Sequence, residues 1–239
     1  MRVVTVSFFA VLVTIMMLLT ARFWGLGKPY YKLDNEFFDT HLKSRPWIFI
    51  PPGNEKLRQQ FPHAFLWVNI KENLQHVLLT DSGEQFADWL KAHENADMLW
   101  NIESNVAGIN NQIASFMTDA DRAHVLIASD YGPVTHSIKR EKPLFAYGSS
   151  EADRVRLGVL EAMFILPSTP FHADFYVGPL TIQGVSVIDP KIMAEMKRRF
   201  KPVILGPLKT QQEIDTAARL KADGLYITQA GFAVPPIAY

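Results

Sequence analysis

Residues 202–228 read PVILGPLKTQQEIDTAARLKADGLYIT, and this stretch decides the fold. Its two apolar ends are typical of buried strands, and its centre is typical of a surface helix. Thr210 stands where a helix N-cap is expected, and Gly224 lies just past the predicted end of the helix. The stretch is therefore a strand, helix, strand unit of a parallel sheet.

Strand-like and helix-like segments alternate in the same way along most of the 239-residue chain. The strand-like runs are WIFI, AFLWVNI, HVLLT, MLWNIE, HVLIAS, LFAYG, ADFYV with GVSVI, PVILG and GLYIT. Helices are predicted over 82–93, 106–118, 131–140, 149–161, 190–200 and 209–221. About eight repeats predict an α/β fold, a somewhat truncated TIM-type (β/α)8 barrel, with Trp47–Pro51 and Gly224–Thr228 as adjacent first and last strands. An open doubly wound sheet is the alternative.

Composition excludes several classes of function. The chain has 24 basic and 24 acidic residues and a formal net charge of zero. Nucleic-acid-binding proteins usually carry a basic surface, so we expect no nucleic-acid partner. The absence of cysteine excludes disulfides, thiolate catalysis and cysteine metal sites. The P-loop, dinucleotide-binding, zinc-protease and serine-hydrolase motifs are absent too.

The N-terminal segment MRVVTVSFFAVLVTIMMLLTARFW has no charged residue between Val3 and Leu19. A helix over residues 1–24 would be long enough to cross a bilayer. We therefore predict a single-pass transmembrane signal-anchor over 1–24, a linker over 25–46 and the barrel over 47–239. A cleaved signal peptide is the alternative. We expect a membrane protein whose barrel is extracytoplasmic.

The stretch TDADRAH brings Asp119, Asp121 and His124 close together in the sequence. Such a group could suggest a metal site, but acids between a helix and a strand usually form a solvated turn. The seven histidines are scattered, with no pair at ligand spacing on one predicted element. We therefore expect each histidine to be a surface or packing residue.

Two long stretches resemble the glycerophosphodiester phosphodiesterase family. Residues 125–149, VLIASDYGPVTHSIKREKPLFAYGS, resemble the family's run of strand, serine-rich strand end, helix and short strand. Residues 202–229 resemble its closing strand, helix and strand. The resemblance begins at Trp47 and covers most of the barrel. It implies an α/β barrel that, in the family, is built around a divalent metal ion and acts on glycerophosphodiesters.

Most positions that match the family's catalytic motifs carry other residues. In IFIPPGN, Pro51 and Pro52 stand where the family has a histidine and an arginine, and proline can neither transfer a proton nor carry charge. In HAFLWVNIKE, Phe65 and Trp67 replace two carboxylates, and aromatic rings offer no oxygen ligand to Mg²⁺ or Ca²⁺. A stretch with a further metal-binding glutamate looks deleted.

Later positions continue this pattern. Thr80-Asp81 matches a His-Asp pair whose histidine is lost, and LWNIESN matches an Asn-Ile-Glu-x-Lys strand. Glu103 is the sole position there that resembles a metal ligand, and Asn105 replaces the lysine. Glu103 and Asp81 are thus the only catalytic candidates, and the resemblance describes a degenerate member that lacks most catalytic motifs.

Two functions remain open. The first is a membrane-anchored pseudoenzyme that needs no cofactor and binds a protein partner or a lipid-derived ligand at the barrel mouth. Its candidate ligand-binding residues are Asn101, Asn105 and Asp130. The second is an active phosphodiester hydrolase with a relocated site that uses Mg²⁺ or Ca²⁺. Its candidate carboxylates are Asp81, Glu103, Asp130 and Asp174.

Overall fold

The structure is a computed structural model. It describes residues 2–32, 34–94, 96–182 and 185–237, without the side chains of residues 2–9 and 185. The strands are β1 (Trp47–Ile50), β2 (Phe65–Glu72), β3 (Leu78–Thr80), β4 (Met98–Ile102), β5 (Val125–Ser129), β6 (Ala146–Tyr147), β7 (Tyr176–Gly178), β8 (Thr181–Ile182), β9 (Val185–Ser186), β10 (Val203–Leu208) and β11 (Gly224–Ile227). The helices are α1 (Arg2–Leu26), α2 (Glu36–Thr40), α3 (Glu55–Gln60), α4 (Phe86–Ala92), α5 (Ile109–Phe116), α6 (Gly132–Glu141), α7 (Glu151–Ala162), α8 (Pro190–Arg198) and α9 (Gln211–Arg219).

The main sheet is a curled parallel sheet with the strand order β6-β5-β4-β2-β1-β11-β10-β7. Strands β1 and β11 pair in parallel, with Trp47 opposite Gly224, as the sequence predicted. A single parallel bridge between Gly148 and Phe175 joins the two end strands. With helices on its outer side, the sheet forms a TIM-like α/β fold, and the alternative of an open doubly wound sheet is excluded.

Two strand-like runs do not belong to the parallel sheet. The run HVLLT forms β3, which pairs antiparallel with β2. Only a short turn connects Glu72 to Leu78, whereas a parallel connection needs about a dozen residues. The described part of GVSVI forms β9, which pairs with β8 in a separate hairpin. Gly184 of that run lies outside the described residues.

Local capping starts three of the helices where the sequence predicted them. The Ser150 side chain accepts a hydrogen bond from the backbone N–H of Asp153 at 3.3 Å. Asp189 caps α8 through the N–H of Lys191 at 2.9 Å, and Thr210 caps α9. A side-chain acceptor at this position satisfies an N–H that has no partner within the helix, which fixes where the helix begins.

The barrel interior is a separate core from the layer between sheet and helices. It contains rings from several strands, among them Phe49, Phe65 and Phe175. Phe37 and Phe38 of α2 are also part of it, and both are buried. The segment 25–46, expected to be a linker, therefore supplies α2 as a plug at the end of the barrel where the strands begin.

In the described part of helix α1, the contacts with the barrel lie near its C-terminus. Gly25 lies so close to the turn at Leu166–Ser168 that an added Cβ would be 2.2 Å from the Ser168 nitrogen. Arg22 donates a hydrogen bond to the Phe164 carbonyl at 3.1 Å. Across the described residues, no helix combines the length and apolar character that a membrane span requires. The predicted transmembrane helix over 1–24 is therefore unsupported; residue 1 and the side chains of 2–9 lie outside the described part.

Candidate ligand site at the barrel mouth

A cleft of about 540 Å³ opens at the end of the barrel where the parallel strands finish. Side chains at strand ends meet there because all barrel strands run in one direction, and this is the end where TIM barrels hold their sites. Its walls include side chains from β2, β4, β5, β7, β10 and β11 and from the N-terminal turn of α7. We take this mouth as the candidate site.

Two stacked rings form the floor of the cleft. The rings of Trp67 and Tyr226 lie 4.2 Å apart at an angle of 4°. Gly206 makes room for them, because an added Cβ there would be 2.5 Å from the Tyr226 Cβ. Burial, followed by the nearby charges of Asp81 and Glu103, raises the pKa of the Tyr226 hydroxyl. The phenol is therefore neutral at physiological pH and can donate a hydrogen bond.

Amide side chains connect the floor to the rim. The indole N–H of Trp67 donates to Asn69 Oδ1 at 2.9 Å, and Asn101 Nδ2 donates to the same oxygen at 2.8 Å. Asn69 Nδ2 in turn donates to Asp81 Oδ2 at 2.6 Å. Strands β2 and β4 place Asn69 directly opposite Asn101 in register. The amides are thus held in fixed positions facing the cleft.

A lysine bridges the two carboxylates at the rim. Lys71 Nζ lies 2.9 Å from Glu103 Oε2 and 3.6 Å from Asp81 Oδ1. The hydrogen bond to Glu103 is the main reason that the pKa of Lys71 is raised above its ordinary value. Since Lys71 remains charged, the catalytic candidates Glu103 and Asp81 share one cation.

A buried arginine forms the opposite wall. Arg154 Nη2 lies 2.5 Å from Asp130 Oδ1, and Nη1 donates to the carbonyls of Ser149 and Val177 at 3.0 Å. Gly178 leaves room for this side chain, since an added Cβ would be 2.4 Å from Arg154 Cδ. The guanidinium thus binds three acceptors of the protein, and its buried Nε has no hydrogen-bond partner among the described residues.

The structure brings some of the sequence-predicted residues together and separates others. Glu103, Asn101 and Asp130 line the cleft. Asp81 reaches the network through Asn69 and Lys71. Asn105 is exposed and is not among the residues that line the cleft.

The placement of Asp174 near the mouth was wrong. Asp174 precedes β7, so it lies at the opposite end of the barrel, where the strands begin. It is buried and accepts hydrogen bonds from Lys139 Nζ at 2.7 Å and from the Tyr147 N–H at 3.0 Å. These contacts give it a structural role.

The donors at the mouth do not fit a divalent metal ion. Mg²⁺ and Ca²⁺ require several oxygens around one point. Glu103 and Asp81 instead share the Lys71 ammonium, and Asp130 binds Arg154. Among the described residues, no three metal-ligating side chains converge at this end of the barrel.

The sequence-predicted site residues do not include Asn69, Lys71 and Arg154. A usable signal existed for the first two, because Trp67, Asn69 and Lys71 alternate along β2 and so point to the same face. No such signal existed for Arg154, which lies on α7 and reaches the cleft only because Gly178 has no side chain.

A larger cavity of about 660 Å³ lies away from the mouth, beside the ends of α8 and α9. Its walls are mostly carbon with a basic rim that includes Lys32, Lys197 and Lys221. Asp223 is its only described carboxylate, and it is bound to Arg45 at 2.7 Å. We favour the mouth because amides, charged groups and a phenol meet there.

Comparisons with known proteins identify the fold. No family model and no curated protein matches the sequence. The chain is similar to a solved glycerophosphodiester phosphodiesterase from Agrobacterium tumefaciens, with a TM-score of 0.55 and 10% identity over 77% of this chain and 95% of that chain. It is also similar to one from Parabacteroides distasonis, with a TM-score of 0.54 and 10% identity over 77% of this chain and 93% of that chain. A third similar structure is an Oleispira antarctica phosphodiesterase in complex with the product sn-glycerol-3-phosphate, with a TM-score of 0.52 and 10% identity over 78% of this chain and 94% of that chain. The chain has a glycerophosphodiester phosphodiesterase-like fold. This confirms the resemblance seen in the sequence.

Proposed function

We propose that this protein is a glycerophosphodiester phosphodiesterase-like barrel that binds a ligand at its mouth without hydrolysing it. The observation that carries the proposal is the position of Lys71, whose ammonium binds both Glu103 and Asp81. A metal ion at these carboxylates would lie against a fixed positive charge. General-base and metal catalysis each contribute large factors to hydrolysis, and Pro51 and Pro52 supply no base.

The chemistry of the cleft favours a small ligand that carries hydroxyl groups, such as the headgroup of a lipid-derived molecule. Asn69 and Asn101 offer amide groups, and Tyr226 offers a phenol over the stacked floor. Lys71 and Arg154 are each paired with carboxylates, so neither cation is free to bind an anionic group. Hydroxyl groups both donate and accept hydrogen bonds, which suits such a surface.

We also propose that α1 attaches the protein to a membrane, with the barrel on the extracytoplasmic side. Large apolar side chains of α1 are exposed, including Val11, Met16, Met17, Phe23 and Trp24. An exposed apolar surface of this kind usually marks contact with lipid or protein. Extraction of cell membranes with carbonate and with detergent checks the attachment, since the protein is expected to require detergent. Release by carbonate alone would contradict an integral anchor.

Hydrolysis and binding are tested separately. The purified full chain is expected to release no glycerol 3-phosphate from glycerophosphocholine or glycerophosphoinositol with Mg²⁺, Ca²⁺ or Mn²⁺ present. Turnover that disappears in Glu103→Gln would establish the active alternative. Isothermal titration calorimetry with myo-inositol, a neutral polyol, is expected to show saturable binding that Asn101→Ala weakens at least 10-fold. Asn110→Ala, on the outer helix α5, is the matched control and is expected to bind like the wild type.

A further inference from the structure

A second group of chemically active side chains lies at the opposite end of the barrel. His41 follows α2, Asp97 precedes β4, and His124 precedes β5. One ligand atom from each of the three residues lies within 4.8 Å of the ligand atoms of the other two. Parallel strands begin at this end, so residues far apart in the sequence meet there. We propose that these three side chains form a binding site for one Zn²⁺ ion.

The distances between donor atoms suit a tetrahedral ion. His41 Nε2 lies 3.2 Å from Asp97 Oδ1, and His124 Nδ1 lies 2.7 Å from the same oxygen. Ligands about 2.0–2.1 Å from a tetrahedral zinc ion are about 3.3 Å apart, so these two distances need only a small expansion. The two imidazole nitrogens lie within 4.8 Å of each other. In the metal-free form, His41 Nε2 donates to the Ala123 carbonyl at 3.2 Å and His124 Nδ1 donates to Asp97 Oδ1, and zinc would displace both protons.

The donor types select zinc over the alkaline-earth ions. Two imidazoles and one carboxylate form a common three-residue zinc set, which leaves a fourth position for water. Mg²⁺ and Ca²⁺ prefer shells made only of oxygen.

The group is also free of a competing cation. In the described ion pairs, Asp97 contacts only His41 and His124, and Arg122, two residues before His124 in the sequence, binds Glu36 at 3.1 Å. The Asp97 carboxylate meets both imidazoles and is placed to share one ion with them.

The surroundings hold the ligands in place and leave a route to solvent. The His41 ring packs against Phe37 at 4.7 Å and Phe65 at 5.0 Å between ring centres. The His41 side chain is 13% exposed, whereas those of Asp97 and His124 are 33% and 44% exposed. An ion can thus enter from the side of Asp97 and His124. Once bound, it would tie the segment before β1 to the beginnings of β4 and β5.

The test is zinc binding by the full chain, purified without a polyhistidine tag and treated with a chelator. Isothermal titration calorimetry with Zn²⁺ is expected to show one ion bound per chain with a micromolar or lower Kd. In a thermal melt, Zn²⁺ is expected to raise the Tm of the protein. Cobalt is expected to give the visible absorption bands of a tetrahedral site, which a merely structural His-Asp-His contact would not produce.

Variants separate this site from other binding. Asp97→Asn and His124→Ala are each expected to weaken zinc binding more than about 10-fold and to abolish the cobalt bands. His136→Ala, on the outer helix α6, is the matched control and is expected to bind as the wild type does. Asp97→Asn can still accept hydrogen bonds, and circular dichroism verifies that it is folded. The proposal is overturned by a folded wild type that binds no zinc, or by binding that survives both variants.

Discussion

The two ends of the barrel carry opposite kinds of surface. At the mouth, every carboxylate of the network is bound by a cation or an amide, as Lys71 binds Glu103 and Arg154 binds Asp130. At the other end, Asp97 meets two histidines, and the aromatic plug of α2 closes the barrel. We propose a hydroxyl-bearing ligand at the mouth and a metal ion at the opposite end.

The largest effect is expected at the plug. Phe38 is buried against Trp47, with ring centres 5.6 Å apart. Loss of a buried phenylalanine ring costs about 3–5 kcal/mol, so Phe38→Ala is expected to lower the free energy of unfolding by that amount. Urea unfolding followed by tryptophan fluorescence measures it. Leu74→Ala, at a side chain that is 95% exposed, is the control. Equal effects of the two changes would mean that α2 is a spacer after all.

A smaller effect is expected at the floor of the mouth. In Gly206→Ala, the new methyl group would press on Tyr226 and disturb its stack on Trp67. Overpacking of this kind costs about 1–3 kcal/mol. Gly158 of α7 has open space around its Cβ position, so Gly158→Ala is expected to stabilise the protein slightly. If Gly206→Ala left the free energy of unfolding unchanged, the packing of Tyr226 on Trp67 would be less rigid than the stacked rings indicate.

The smallest effect on stability is expected at Lys201, at the end of the barrel opposite the mouth, and it depends on pH. Burial lowers the pKa of Lys201, although Asp174 at 3.9 Å partly opposes this shift. The folded state therefore binds this proton less well than the unfolded state does, and the charged ammonium costs stability below the lowered pKa. Lys201→Met is expected to be more stable than the wild type at neutral pH. This advantage should shrink as pH rises towards the ordinary lysine value of about 10.4, where both states lose the proton.

Urea unfolding at several pH values measures the difference between Lys201→Met and the wild type. Lys56→Met, at an exposed lysine of α3, is the matched control. An advantage of Lys201→Met that grew with pH would contradict the direction of the shift and would indicate that Asp174 stabilises the ammonium more than burial penalises it.

Much of the fold could be predicted from the sequence because it depends on local patterns. Apolar runs of four or five residues become buried strands of a parallel sheet, as Val125–Ser129 does. Caps such as Asp189 and Thr210 act within three residues of their own position. The direction of the HVLLT strand was harder to predict, because its pattern fits a parallel or an antiparallel strand. Only the short turn before it shows that the strand is antiparallel.

The site was predictable only in part, because its contacts join residues that are distant in sequence. Glu103 and Asn101 were found through the resemblance, but the lysine that neutralises Glu103 comes from a different strand. His41, Asp97 and His124 come from three separate segments, so no spacing along the chain could reveal their convergence. Asp174 was misplaced because ADFYV does not show at which residue its strand begins.

The plug also has a consequence for how the chain is made. Phe37 and Phe38 leave the ribosome before any barrel strand, yet the last strand beside β1 follows about 190 residues later. At a synthesis rate of roughly 5–20 residues per second, the last strand is made about 10–40 s after these two rings, so they cannot be fully buried before then. During synthesis the nascent chain therefore presents an apolar segment next to α1, and a chaperone that covers both would protect the chain from aggregation until release.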